Sequence, residues 1–118
     1  MNEVGPARGE VWWVDLDPTR GSETSKTRPA VVVSTDAVSV LPVRLVVPLT
    51  EWKQKHAAAI WRLPVAPTSA NGLTKKSAAD ALQVRCVSLD RFKERMGRLE
   101  ADILAELSAA IALLVEFE

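Results

Sequence analysis

In a chain of 118 residues with one histidine and one cysteine, few side chains can do chemistry. There is no cysteine pair, no His-Glu-x-x-His and no run of acids at metal-ligand spacing, which argues against a metal hydrolase. A Gly-x-x-x-x-Gly-Lys phosphate loop is also missing. His56 stands near Lys53 and Lys55 and reads as a solvated loop histidine rather than as part of a Ser-His-Asp triad. What remains is Arg28, at the end of a polar loop of about ten residues, longer than most hairpin loops, and Thr50, after Val47-Pro48-Leu49. A guanidinium donates in pairs to phosphate oxygens and stays charged, and a threonine hydroxyl adds a neutral donor. Together they suit stabilisation of charge developing on a phosphoryl group. Taken singly, Arg28 could pair with Glu23 or Asp17 on the surface, and Thr50 could be an ordinary strand-end residue.

The surrounding pattern is a series of short strands closed by one helix. Glu10 to Leu16, Pro29 to Ser34, Arg44 to Leu49, Ala57 to Val65, Ala81 to Val87 and Arg95 to Leu99 read as strands. The valines after Pro29 imply burial on both faces or at a subunit contact, and Pro48 suggests an edge or bulge. Glu51 to His56 reads as a charged loop, and Pro64 to Gly72 as a loop ending in an Asn-Gly turn. Ser77 to Asp80 leads into the fifth strand, and Ser88 can cap a helical turn over Leu89 to Phe92. Ile103, Leu104, Leu107, Ile111 and Leu114 recur at helical spacing. This pattern predicts a small, curved antiparallel sheet with a C-terminal helix. Trp12 and Trp13 face opposite ways in a strand, and we read them as core plus dimer contact in preference to base stacking.

Composition bounds the rest. The chain is long enough for a single domain over 1–118, and 47% apolar with 25% charged residues is ordinary for a globular protein. No apolar run is long enough to span a membrane, and the N-terminus, with Glu3 and Gly5-Pro6, lacks the pattern of a signal peptide. A lone Cys86 between Val84 and Val87 reads as a buried strand thiol in a reducing cytoplasm. Net charge is zero, yet all fifteen bases lie at or before Arg98 with ten acids, while five acids and no base follow from Glu100. That layout leaves room for a basic groove on one face.

Several anchors then fall in register. Arg8-Gly9-Glu10-Val11-Trp12, Asp15-Leu16-Asp17-Pro18, Gly21-Ser22-Glu23, Arg28-Pro29-Ala30-Val31-Val32 and Val47-Pro48-Leu49-Thr50 resemble the MazF/PemK family of toxin endoribonucleases. A later segment, Asn71-Gly72-Leu73 through Lys76-Ser77 to Gln83-Val84, resembles the same family, so that the likeness runs over about residues 8–117. The resemblance implies a mainly β fold with a C-terminal helix, an SH3-like curved antiparallel barrel. It implies a metal-independent endoribonuclease with no cofactor, in which RNA's own 2′-hydroxyl attacks the neighbouring phosphorus to leave a 2′,3′-cyclic phosphate and a 5′-hydroxyl. Arg28 and Thr50 then become the main catalytic pair, and Glu23 shapes the site and orients the arginine. Lys26, Thr27, Lys53, Lys55, Ser77, Asp80 and Gln83 become the residues near bound RNA. The implied partners are single-stranded mRNA, a cognate antitoxin and a second copy of the chain.

One departure stands out. Thr24-Ser25-Lys26-Thr27 occupies the place of the glycine-bearing stretch common in relatives, so the cleavage sequence does not carry over. The alternative is a same-fold toxin that binds DNA gyrase and cuts no RNA. Such relatives present a Trp-Gly-Ile-type terminus, whereas this chain ends Val115-Glu116-Phe117-Glu118.

Overall fold

The computed structural model describes residues 5–117; Glu3 and Glu118, used above, lie outside the described residues. These described residues hold seven strands: β1 (Glu10–Asp15), β2 (Thr27–Val32), β3 (Val43–Glu51), β4 (Arg62–Val65), β5 (Ser77–Asp80), β6 (Arg85–Ser88) and β7 (Phe92–Arg98). They form one antiparallel sheet in the order β4-β5-β3-β2-β1-β7, with β6 also paired to β3. The helix α1 (Ala101–Leu114) follows.

Both sheet faces carry apolar side chains, as the valine runs require. Val11, Val31, Val47, Leu49, Val65 and Leu107 make one cluster, with Ile103, Leu104 and Ile111 of α1 packed against it. Val14, Leu16, Ala30, Val32, Val46 and Val87 make the other, flanked by Trp12 and Phe92. None of the second cluster's members comes from α1, in keeping with a sheet that curls over it. That is the SH3-like curved barrel with a C-terminal helix expected above. Among the described residues no helix is long and apolar enough to cross a membrane.

Several sequence expectations need correction. β2 starts two residues earlier than expected, which brings Arg28 into the ladder opposite Val14. β3 is central rather than an edge. On its side away from β2 it pairs with β6 up to Val46 and with β5 from Leu49, so Pro48 falls between the two partners, where no ladder on that side needs its missing N–H. β4 is only four residues long, because Gln54–Ala58 closes into a 3-10 turn and Ile60 is exposed. The expected fifth strand, Ala81 to Val87, is a 3-10 turn over Ala81–Gln83 followed by β6, and the segment expected to lead into it, Ser77–Asp80, is itself β5. Ser88 begins the turn Leu89–Arg91 but makes no side-chain cap. Cys86 is exposed, not buried, since Val87 rather than Val84 sets the inward phase of β6.

Candidate active site

The β2–β3 ladder pairs Val32 with Val46, Val31 with Val47 and Ala30 with Pro48. Continuing that register by two residues sets Arg28 opposite Thr50, although twenty-one residues intervene in sequence. Both are half-buried. Two adjoining recesses meet there, and Arg28, Thr50 and Glu51 line both. One, of about 210 Å³, is walled by Trp13, Pro29, Leu49, Leu73 and Met96, with Thr27, Lys75 and Ser77 at its polar margin. The other, of about 340 Å³, is lined by Ser22, Thr24, Lys53, Lys55, His56, Arg62, Asp80 and Gln83. The groove therefore has an apolar end and a cationic end, with the Arg28–Thr50 pair at the junction.

The polar loop before β2 is tied down by backbone bonds. Leu16 N–H donates to the Lys26 carbonyl at 3.0 Å, and Lys26 N–H to Asp17 Oδ1 at 2.9 Å. Arg85 donates to the Leu16 carbonyl at 3.1 Å, and Arg91 to the carbonyls of Asp15 and Asp17. Gln83 clamps the loop to the sheet, accepting from Thr24 N–H at 3.1 Å and donating to the Ser22 carbonyl at 3.2 Å. Arg28 Nε donates to the Ser25 carbonyl at 3.1 Å. Its two terminal nitrogens make no protein hydrogen bond among the described residues, so the fork is open to the groove.

The expected site residues separate into groups. Thr27 and Ser77 border the apolar end, and Lys53, Lys55, Asp80 and Gln83 the cationic end. Lys26 lines neither recess; it adopts φ 70° and contributes its backbone to the loop root. Glu23 makes no hydrogen bond or ion pair with Arg28 among the described residues. Its carboxylate accepts from Arg20 N–H at 2.7 Å and borders a separate recess with Leu82 and Arg85. The carboxylate at the junction is Glu51, 3.5 Å from Lys75. Asp80 is buried, accepts from Leu82 N–H at 3.1 Å and lies 3.4 Å from Arg62 Nε.

Five further groove residues, Glu51, Arg62, Leu73, Thr74 and Met96, carry no site role in the sequence reading. Trp12 packs against the second core cluster, as expected of one of the pair, while Trp13 is 37% exposed and lines the apolar recess. His56 is buried, not solvated, packed edge-on against Trp52 at 5.6 Å. Burial, and then the cations Arg62, Lys55 and Lys53, hold its pKa below the ordinary value, with Asp80 opposing. Lys76 sits 4.9 Å over the Trp52 ring, which places its charge in a cation–π contact outside the groove. Among the described residues no three His, Cys, Asp or Glu side chains group as metal ligands.

Comparison with known proteins agrees with this fold. Residues 7–115 match the family described as PemK-like, MazF-like toxin of type II toxin–antitoxin system. The chain is 39% identical over 113 residues to endoribonuclease MazF9 of Mycobacterium tuberculosis, covering 90% of this chain and 92% of the relative. Its fold superimposes on MazF from Deinococcus radiodurans with a TM-score of 0.82 at 22% identity, covering 97% and 99% of the two chains. An endoribonuclease in complex with its cognate antitoxin from a mycobacterial species superimposes with a TM-score of 0.75 at 18% identity, over 97% and 98% of the chains. With the family match spanning nearly the whole chain and the groove built from the motif residues, the protein belongs to the PemK/MazF family of type II toxins.

Proposed function

We propose that this toxin is a cytoplasmic endoribonuclease that cuts single-stranded mRNA at the Arg28–Thr50 junction without a metal or organic cofactor. The observation that carries the reading is the open guanidinium fork of Arg28 beside Thr50, between an apolar and a cationic recess. A base can stack on Trp13 and Met96 at one end while backbone phosphates lie along Lys53, Lys55 and Arg62 at the other. The scissile phosphate then rests at the junction. The 2′-oxygen attacks phosphorus, the bond to the 5′-oxygen breaks, that oxygen takes a proton from solvent, and a 2′,3′-cyclic phosphate and a 5′-hydroxyl result. Arg28 donates to the non-bridging oxygens as charge builds, and Thr50 adds its hydroxyl.

We assign the 2′-hydroxyl proton to Glu51, because it borders both halves of the groove whereas Asp80 is committed to Arg62 and the Leu82 N–H. Glu23 acts at one remove, closing the turn that starts the loop, and Lys26 shapes the loop's last step. The chain acts as a homodimer restrained by a cognate antitoxin, in line with the mycobacterial complex named above. An acidic antitoxin segment would compete with RNA for the cationic end.

The test is incubation of the purified protein with a mixed-sequence RNA in EDTA, followed by mapping of both new ends. Cyclic phosphate and 5′-hydroxyl ends are expected. Intact RNA, together with inhibition of DNA gyrase, would overturn the nuclease reading in favour of the gyrase-binding alternative.

A further inference from the structure

The only histidine of the chain is built into the groove in a way the reaction above does not use. His56 lies in the turn Gln54–Ala58 and is 6% exposed. Its Nδ1 accepts the Lys53 backbone N–H at 3.2 Å, while the His56 N–H donates to the Lys53 carbonyl at 2.8 Å. A ring nitrogen that accepts carries no hydrogen, so the neutral ring holds its hydrogen on Nε2. Nε2 makes no protein hydrogen bond among the described residues, and no buried side-chain nitrogen or oxygen there lacks a partner. This N–H therefore reaches solvent, and the recess that His56 lines is the cationic end of the groove.

Burial first, and then the charges around the ring, favour its neutral form. Lys53 and Lys55 flank it on its own turn, and Arg62 faces it from β4, all disfavouring the imidazolium; Asp80 of β5 is the one opposing charge. Protonation would also put a hydrogen on Nδ1, against the Lys53 N–H. A ring fixed in this form cannot act as a general base, since its one free nitrogen already bears the proton. It can donate.

We propose that His56 is a positioning residue whose Nε2–H donates to a non-bridging oxygen of the phosphate neighbouring the scissile one, with Lys53, Lys55 and Arg62 supplying the charge. The inference rests on the nuclease reading above. A phosphate is the occupant that fits, because three cations line this end and the carboxylate Asp80 is already engaged. A neutral donor at a fixed angle supplies direction that flexible lysines do not.

The two ring nitrogens have separate roles, so two substitutions separate them. In His56→Asn the amide oxygen falls near the Nδ1 position and preserves the cap, but nothing reaches the Nε2 position. In His56→Gln the amide nitrogen reaches the Nε2 position and the cap is lost. Affinity, KM and kcat are measured for each on a short RNA, and on the same RNA with one neutral methylphosphonate linkage moved stepwise past the cleavage site. His56→Asn should melt like the wild type and raise Kd and KM about ten- to a hundredfold, the range for a hydrogen bond to a charged group, with kcat little changed. His56→Gln should bind RNA more nearly as the wild type does, despite a lower melting temperature. At one linkage the methylphosphonate should weaken the wild type but add nothing to the defect of His56→Asn.

Wild-type cleavage with unimpaired binding by His56→Asn would overturn this inference alone, as would a defect independent of every linkage. RNA binding without cleavage by the wild type would overturn the nuclease reading, while the affinity comparison still decides His56. Absence of RNA binding would overturn both.

Discussion

Replacing Arg28 by lysine separates its charge from its shape. In the structure Nε is held by the Ser25 carbonyl at 3.1 Å, which leaves both terminal nitrogens to face the groove. Lysine keeps the positive charge but loses the tether and the paired donors. Loss of one preorganised donor to a developing oxyanion costs about a hundred- to a thousandfold in rate, and Arg28→Lys should fall in that range. Arg28→Ala, which loses the charge as well, should be at least as slow. The folding cost is small by comparison: one half-buried hydrogen bond contributes about 1 kcal/mol, a shift of a few degrees in melting temperature. Single-turnover cleavage of an end-labelled RNA under saturating protein measures the chemical step, and thermal melting checks the fold. Added guanidinium should restore part of the Arg28→Ala rate. A folded Arg28→Lys protein cleaving within about threefold of wild type would refute the paired-donor argument, and an equally active Arg28→Ala would refute the role of Arg28 altogether.

Other consequences follow from the same geometry. Glu51→Gln should slow cleavage by about a hundredfold or more with little change in RNA affinity, the behaviour of a proton acceptor, as a comparison of kcat with Kd would show. Reversing both Lys53 and Lys55 to glutamate should weaken RNA binding and flatten its salt dependence by more than about 1.4 in the log–log slope, the figure for removing two phosphate contacts, measured by titration at several salt concentrations. Gly97→Ala should cost at least about 2 kcal/mol in chemical denaturation, because its Cβ would lie 2.3 Å from the Ala70 carbonyl oxygen and 2.7 Å from the Asn71 carbonyl carbon. The lowered pKa of His56 means that the unfolded chain binds its proton first as pH falls. Stability from this group is thus full above the ordinary value of 6.5 and declines as pH drops toward the folded value, a dependence that melting curves should show in wild type and not in His56→Gln.

The meeting of Arg28 and Thr50 was legible because both stand at strand ends. They flank valine runs whose antiparallel register, continued two residues past Ala30 and Pro48, sets them opposite each other, and both line the same two recesses. The curved sheet and closing helix were legible from the same valine runs and from the spacing of Ile103 to Leu114. Less was legible where tertiary cover overrides local preference. Ser77-Ala78-Ala79-Asp80 is poor strand sequence, yet it forms β5 because β3 and β4 flank it and all four residues are buried. The phase of β6 differs from that expected because Val84 closes a 3-10 turn rather than lying within the strand, so Cys86 turns outward. Glu23 follows Gly21-Ser22 as the family motif requires, yet its carboxylate is taken by the Arg20 N–H, and the junction acid is Glu51. No local pattern around His56 announces burial; its place depends on a turn closed by its own imidazole and on Trp52 alongside.

The central claim is that RNA supplies its own nucleophile at the Arg28–Thr50 junction. Once the cleavage site of a short RNA is mapped, the most direct measurement replaces the ribose on the 5′ side of that bond by deoxyribose and leaves the rest of the strand unchanged. Binding should persist, since the cationic and apolar ends of the groove still have their ligands, and cleavage at that bond should cease in EDTA as in its absence. Cleavage of the deoxy-substituted bond at a rate near that of the all-ribose strand would contradict the account.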